Sequence, residues 1–113
     1  MTQLYGTGLS DAARTAAFTG GEVPVAVYGL GKMGLPLAAV YAEVAGDVVG
    51  VDTDPAVVET VQAGESHIAG EPGLAALVGE LVGAGRLRAT VDGARAAEVA
   101  AVHVIIVPTL LTA

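Results

Sequence analysis

The chain alternates short apolar runs with longer amphipathic ones. Val23 to Tyr28 (VPVAVY) is almost wholly apolar and β-branched, as expected of a central parallel strand covered on both faces. Beyond three closely spaced glycines, Met33, Leu37, Val40, Tyr41 and Val44 fall at i, i+4, i+7, i+8 and i+11. That spacing predicts one apolar helical stripe ending near Gly46, with Pro36 fitting only in the first turn. Asp47 to Val51 (DVVGV) reads as a second strand, and Pro55 opens a second helix that runs to about Ala63.

A loop from Gly64 to Gly73 leads into an apolar helix from about Leu74 to Val82, closed by Gly83-Ala84-Gly85. Arg86 to Val91 suits a short strand on which Arg86 and Arg88 share the exposed side, one of them meeting a nearby acid. Asp92 to Ala97 suits a helix or turn with a good cap, and Val102 to Val107 (VHVIIV) a further buried strand. Ahead of all this, residues 1–22 read as an appendage with a short helix from Ser10, a good N-cap, to about Phe18. The order β-α-β-α-α-β-α-β predicts an α/β fold: a Rossmann-type, doubly wound parallel sheet, incomplete at about four strands, built by residues 23–113.

Composition narrows the function. A chain of 113 residues is one domain by length, and 53% hydrophobic against 15% charged residues is far from a disordered composition. The net charge of −7 repels phosphate backbones and anionic membranes, so neither nucleic acid nor a lipid surface is expected as a partner. With no Cys there is no disulfide, thiolate metal site or cysteine nucleophile within these residues. The N-terminus lacks a basic leader, no apolar run approaches a membrane span, and the chain reads as cytoplasmic.

The chemistry lies between the first strand and the first long helix. Gly29-x-Gly31-x-x-Gly34 sits at that junction. The first glycine permits the sharp turn, the second lets backbone approach a pyrophosphate, and the third allows helix and strand to pack closely. The helix N-terminus then receives the phosphates, and Lys32 reaches the pyrophosphate or lies in solvent. Asp52 ends the second strand 23 residues after Gly29, the separation expected of an acid that grips the adenine ribose. Its charge would repel a 2′-phosphate, and no Arg or Lys lies between Lys32 and Arg86, so NAD is favoured over NADP.

Other constellations carry less. Glu65-Ser66-His67 has the residue types of a hydrolytic triad, but consecutive residues cannot converge as nucleophile, base and orienter. His67 is expected to be a loop hydrogen-bonder, and His103 a satisfied core or strand-end imidazole. Asp52 and Asp54 make a thin case for Mg²⁺, since Asp54 is well placed to cap the helix opened by Pro55, and no metal is expected.

The glycine loop, "GESHIAGEPGL" at Gly64 to Leu74, "GRLRATVD" at Gly85 to Asp92 and "VIIVPT" at Val104 to Thr109 together resemble the nucleotide-sugar dehydrogenases. These are the UDP-glucose and UDP-N-acetylmannosamine 6-dehydrogenases, and the resemblance covers roughly residues 23–112. It implies NAD as cofactor, a UDP-sugar substrate whose C6 alcohol becomes a carboxylate, polysaccharide or glycan precursor synthesis, and a homodimer. It also implies that Gly29, Gly31, Lys32, Met33, Gly34 and Asp52 bind the cofactor and that Thr109 lies beside it. Lys32 stands where a Tyr is common, Val57 where a basic residue is frequent near the adenosine, and Leu110 where a Pro is frequent. Ile68 to Glu71 looks one residue longer than usual.

The family's catalytic Cys, Lys and Asn and its sugar-binding domain would lie beyond Ala113, so the resemblance implies a fragment with no catalytic residue of its own. Two other classes compete. A non-catalytic NAD-sensing module would use the same glycines and acid but has no reason to contain the "GESHIAGEPGL" loop. A β-hydroxyacid dehydrogenase shares a GLGxMG start but commonly prefers NADP and follows the second strand with a basic residue, where this chain has Thr53.

Overall fold

The computed structural model describes residues 10–68 and 70–106. Four strands, β1 (Val25–Tyr28), β2 (Val48–Val51), β3 (Leu87–Thr90) and β4 (Val102–Ile105), form one sheet in the order β3-β2-β1-β4, and every pair is parallel. The helices are α1 (Asp11–Thr19), α2 (Gly34–Ala45), α3 (Pro55–Gln62), α4 (Pro72–Gly83) and α5 (Gly93–Val99). The chain steps outward from β1 to β2 to β3, then returns to the far side of β1 as β4. The reversal therefore falls between β1 and β4, where open α/β sheets form a crevice at the carboxyl ends of the strands.

Local chemistry sets the element ends. Ser10 caps α1 through its side chain, Asp54 caps α3 by accepting from the Ala56 N–H at 2.9 Å, and Asp92 caps α5 by accepting from Arg95 N–H at 3.0 Å. Helix α2 ends at Gly46 in the left-handed region, and the Arg86 guanidinium donates to the carbonyls of Ala42 (3.1 Å) and Glu43 (2.7 Å) in its last turn. Helix α4 begins at Pro72, two residues before the expected start, because proline is suited to a first helical position.

The two faces of the sheet are unequal. On one, Val25, Val27, Val48, Leu87 and Ala89 pack with Leu35, Ala38, Ala39 and Ala42 of α2, Val61 of α3, and Val78 and Leu81 of α4. Phe18 of α1 joins the same cluster. On the other face, Ala26, Val49 and Val51 meet Ala96 of α5 and Ala100. Full burial of one Val or Leu side chain is worth about 1.5 to 3 kcal/mol, so the larger cluster dominates the packing energy.

Three expectations need correction. The stripe Met33, Leu37, Val40, Tyr41 and Val44 is not the buried face: Met33 is 75%, Val40 52% and Val44 48% exposed, and of the five only Tyr41 packs against the main core, partly buried. Helix α2 instead buries Gly34, Leu35, Ala38, Ala39, Ala42 and Ala45. It is apolar all round, and its small residues let it lie close on the sheet where valines would hold it off. Strand β4 is half covered, with His103 and Ile105 exposed, because α5 packs over β1 and β2 and β4 is an edge of the described sheet. Arg86 and Arg88 do not share an exposed side: Arg88 meets Asp47 at 3.1 Å, while Arg86 precedes β3 and is half-buried against the end of α2.

Candidate functional site

At the carboxyl ends of β1, β2 and β4 the chain leaves a groove of about 720 Å³. Gly29, Gly31, Lys32, Met33 and Gly34 line it from the loop, Val51, Asp52 and Thr53 from the end of β2, and Tyr28, Ile105 and Ile106 from the floor. Six of the seven residues singled out in the sequence thus meet in one place. Thr109 lies outside the described residues.

Each glycine has a different reason to be there. Gly29 turns the chain with φ +100°, a conformation that side chains rarely adopt, and a Cβ on it would also run into the Ile106 carbonyl oxygen. A Cβ on Gly34 would overlap the Gly29 carbonyl oxygen, so the first residue of α2 packs directly against the turn. Gly31 differs from both, since among the described residues no atom beyond its chain neighbours lies within 4 Å of its Cβ position. Its openness is room beside the backbone, of the kind a close-lying ligand requires.

Helix α2 presents its N-terminus to the same groove. Met33 occupies the N-cap with no side-chain hydrogen bond to the first turn, so no side chain there competes with a ligand anion for the N–H groups. Lys32 is exposed at the rim.

Asp52 is held from two sides. Its Oδ2 accepts from the Leu30 N–H at 2.9 Å and its Oδ1 from the Asp54 N–H at 3.0 Å. The first bond crosses from the end of β2 to the glycine loop, and the second closes a short turn that leads into α3. The backbone is equally fixed, with Gly29 N–H on the Val51 carbonyl (2.7 Å) and Asp52 N–H on the Thr90 carbonyl (3.2 Å). A carboxylate has about four acceptor positions, so two remain for ligand hydroxyls. Open space beside Gly31, an uncapped helix start and a fixed carboxylate fit a dinucleotide with free ribose hydroxyls.

Sequence reasoning missed Tyr28, Thr53 and Ile106. Their signal was position alone: each ends or follows a parallel strand at its carboxyl end. Tyr28 also carries a partner, since its hydroxyl lies 2.9 Å from His103 Nδ1 and the two rings stack at 5.8 Å. His103 is therefore an exposed, hydrogen-bonded residue of β4 rather than a core one.

Elsewhere the candidates resolve into local structure. Ser66 Oγ accepts from the Ile68 N–H at 3.1 Å and His67 is exposed. Val57 packs against the main core. Among the described residues, no group of three or more His, Cys, Asp or Glu is placed to hold a metal, and no helix is long and apolar enough to cross a membrane.

Comparison with known proteins agrees with this geometry. Residues 23–112 match the family described as "UDP-glucose/GDP-mannose dehydrogenase family, NAD binding domain". The chain belongs to that family. The cofactor of that family's domain is NAD. A UDP-N-acetyl-D-mannosamine dehydrogenase of Escherichia coli is 46% identical over 66 residues, which are 58% of this chain and 16% of the relative. A UDP-glucose 6-dehydrogenase of Haloferax volcanii is 44% identical over 68 residues, 60% of this chain and 15% of the relative.

Among solved structures, the GDP-mannose dehydrogenase of Pseudomonas aeruginosa aligns with a TM-score of 0.76 at 31% identity, covering 80% of this chain and 20% of that one. The UDP-D-ManNAc dehydrogenase of Pyrococcus horikoshii aligns with a TM-score of 0.73 at 34% identity, covering 80% and 21%. The chain thus spans about a fifth or less of the length of the relatives it matches. What it shares with them is the amino-terminal, NAD-binding part.

Proposed function

We propose that this chain is the cofactor-binding portion of an NAD-dependent nucleotide-sugar 6-dehydrogenase, which oxidises the C6 alcohol of a UDP-sugar to a carboxylate. UDP-N-acetylmannosamine and UDP-glucose are the favoured substrates, and the product would serve polysaccharide or glycan synthesis in the cytoplasm. The observation that carries this reading is the Asp52 carboxylate, fixed by Leu30 and Asp54 N–H groups beside a glycine loop whose second glycine is open.

In this reading the Gly29 to Gly34 loop and the start of α2 take the pyrophosphate, Lys32 and Met33 flank it, and Asp52 accepts from the adenine ribose hydroxyls. Thr109 would lie beside the cofactor. Bound NAD would supply the hydride acceptor. The complete enzyme would be a homodimer, and the net charge of −7 speaks against nucleic acid or an anionic membrane as partner.

The test has two parts. Calorimetric titration of the chain with NAD and with NADP should give measurable affinity for NAD and weaker affinity for NADP. The native protein from its own cells should have a mass several times 11.1 kDa and reduce NAD with a UDP-sugar. A chain that binds neither nucleotide would remove the cofactor role, and a native mass near 11.1 kDa would remove the enzymatic one.

A further inference from the structure

Leu30 lies between two residues that line the groove, yet it turns away from it. Its side chain is fully buried in the main core. It rests on Gly50, in the middle of β2: a Cβ built there would lie 2.7 and 2.8 Å from the two Leu30 methyl carbons and 3.2 Å from Cγ. A glycine inside a strand weakens it and often marks a place where another part of the structure approaches closely. Here the approaching part is the glycine loop, and Leu30 is its foot.

The Gly50 side of this contact is fixed and the Leu30 side is confined. Gly50 sits in a strand paired on both sides, opposite Val27 of β1 and Ala89 of β3. Leu30 has no exposed surface, so its isobutyl group can give way only by moving against the core side chains around it. A push on that side chain is carried to the Leu30 backbone, whose N–H donates to Asp52 Oδ2.

We propose that Gly50 is a positioning residue for the adenosine end of the site. By leaving room for Leu30 it sets the height of the glycine loop over β2, and so holds the Leu30 N–H where it fixes the Asp52 carboxylate. Gly50 touches no ligand and acts only through Leu30. The inference rests on the reading of Asp52 as the acid that accepts from the ribose.

Gly50→Ala adds one methyl group and substitutes no groove-lining residue. It should weaken NAD binding about tenfold and NADP binding less, narrowing the preference between them, while far-ultraviolet circular dichroism stays that of a folded chain. Leu30→Val removes the methyl ends that the new Cβ would strike, so the double variant should bind NAD as Leu30→Val alone does. The change in preference in Gly50→Ala, restored in the double variant, distinguishes positioning from a general loss of packing, which would weaken both nucleotides alike.

An unchanged NAD to NADP ratio in Gly50→Ala overturns the proposal, and so does a double variant that is folded but no better than Gly50→Ala. Should Gly50→Ala alone not fold, the comparison of the double variant with Leu30→Val carries the test: equal binding supports the proposal and weaker binding overturns it. Asp52→Asn, titrated alongside, separates this inference from its parent. If that variant keeps the native preference, the ribose reading fails and the inference with it. If it narrows the preference and Gly50→Ala does not, the inference alone fails.

Discussion

The Leu30 N–H and the Asp52 carboxylate meet at 2.9 Å, tying the glycine loop at the end of β1 to the acid at the end of β2. The loop and the acid are thus one construction, set before any ligand arrives. Pre-organised acceptors cost a ligand less to engage than ones that must first be ordered. This is why an acid 22 residues along the chain from Leu30 can serve the same ligand as the loop.

Asp52→Asn tests the consequence. A carboxylate gives one oxygen to Leu30 and the other to Asp54, whereas an amide has one acceptor oxygen, so one N–H loses its partner and the ribose loses a charged acceptor. Hydrogen bonds to a charged group are worth about 1.5 to 3 kcal/mol, so NAD affinity should fall roughly tenfold to a hundredfold. NADP should lose less, because the repulsion of its 2′-phosphate goes with the charge. Equal losses in parallel titrations would deny Asp52 its ribose role.

Gly31 and Gly34 should fail in different ways. Alanine at Gly34 puts a carbon onto the Gly29 carbonyl oxygen, so the turn or the start of α2 must move and thermal stability should drop along with binding. Alanine at Gly31 meets no atom of the described residues beyond its chain neighbours and needs no unusual φ, so stability should stay within about 0.5 kcal/mol of the parent. NAD affinity should nevertheless fall, because the methyl group takes the space of the pyrophosphate. A Gly31→Ala chain that binds NAD as the parent does would place the phosphates elsewhere.

Much of this architecture was legible in the residues. Strands β1, β2 and β4 stand where β-branched runs announced them and β3 lies within the expected Arg86 to Val91, and Ser10, Asp54 and Asp92 cap the helices that follow because short polar side chains reach the free N–H groups locally. The buried side of α2 was not legible. When a helix is apolar all round, periodicity cannot choose a face, and Ala38, Ala39, Ala42 and Ala45 won because small side chains allow close approach to the sheet. Contacts between residues distant in sequence were equally hidden, among them Leu30 on Gly50, Tyr28 with His103, and Gln62 with Ala89. Each depends on the register of parallel strands, which no local pattern encodes.

Arg86 and Arg88 look alike in the sequence and should differ in worth. Arg86 donates to two carbonyls at the end of α2 from a half-buried position, where cations also meet the negative end of the helix dipole. Its replacement by alanine should cost about 1 to 2 kcal/mol in urea denaturation. Arg88 pairs with Asp47 while its own side chain is 54% exposed, and Arg88→Ala should cost under about 1 kcal/mol. The reverse order would mean that the exposed pair, not the helix end, anchors β3.

Gln62, the last residue of α3, accepts from the Ala89 N–H through Oε1 at 2.9 Å. Strand β3 is an edge, so this side chain covers a backbone donor that would otherwise face outward. Gln62→Leu leaves that donor without its partner and should lower stability by about 1 kcal/mol. It should also raise light scattering on concentration, since open strand edges invite pairing with other chains. Unaltered stability and scattering would show that solvent serves Ala89 equally well.

Lys32 is exposed at the rim of the groove, between the open Gly31 and the start of α2. No other Lys or Arg follows until Arg86, so in the proposed placement the cofactor's phosphates would meet one exposed cation and the dipole of α2. Exposed charges interact weakly and are screened within about 10 Å at moderate salt, so Lys32→Ala should weaken NAD binding only about two- to fivefold. The sharper sign is the salt dependence: affinity of the parent should fall as ionic strength rises, and the variant's curve should be flatter. Parallel curves with an unchanged dissociation constant would assign the pyrophosphate to backbone N–H groups alone and return Lys32 to the solvent.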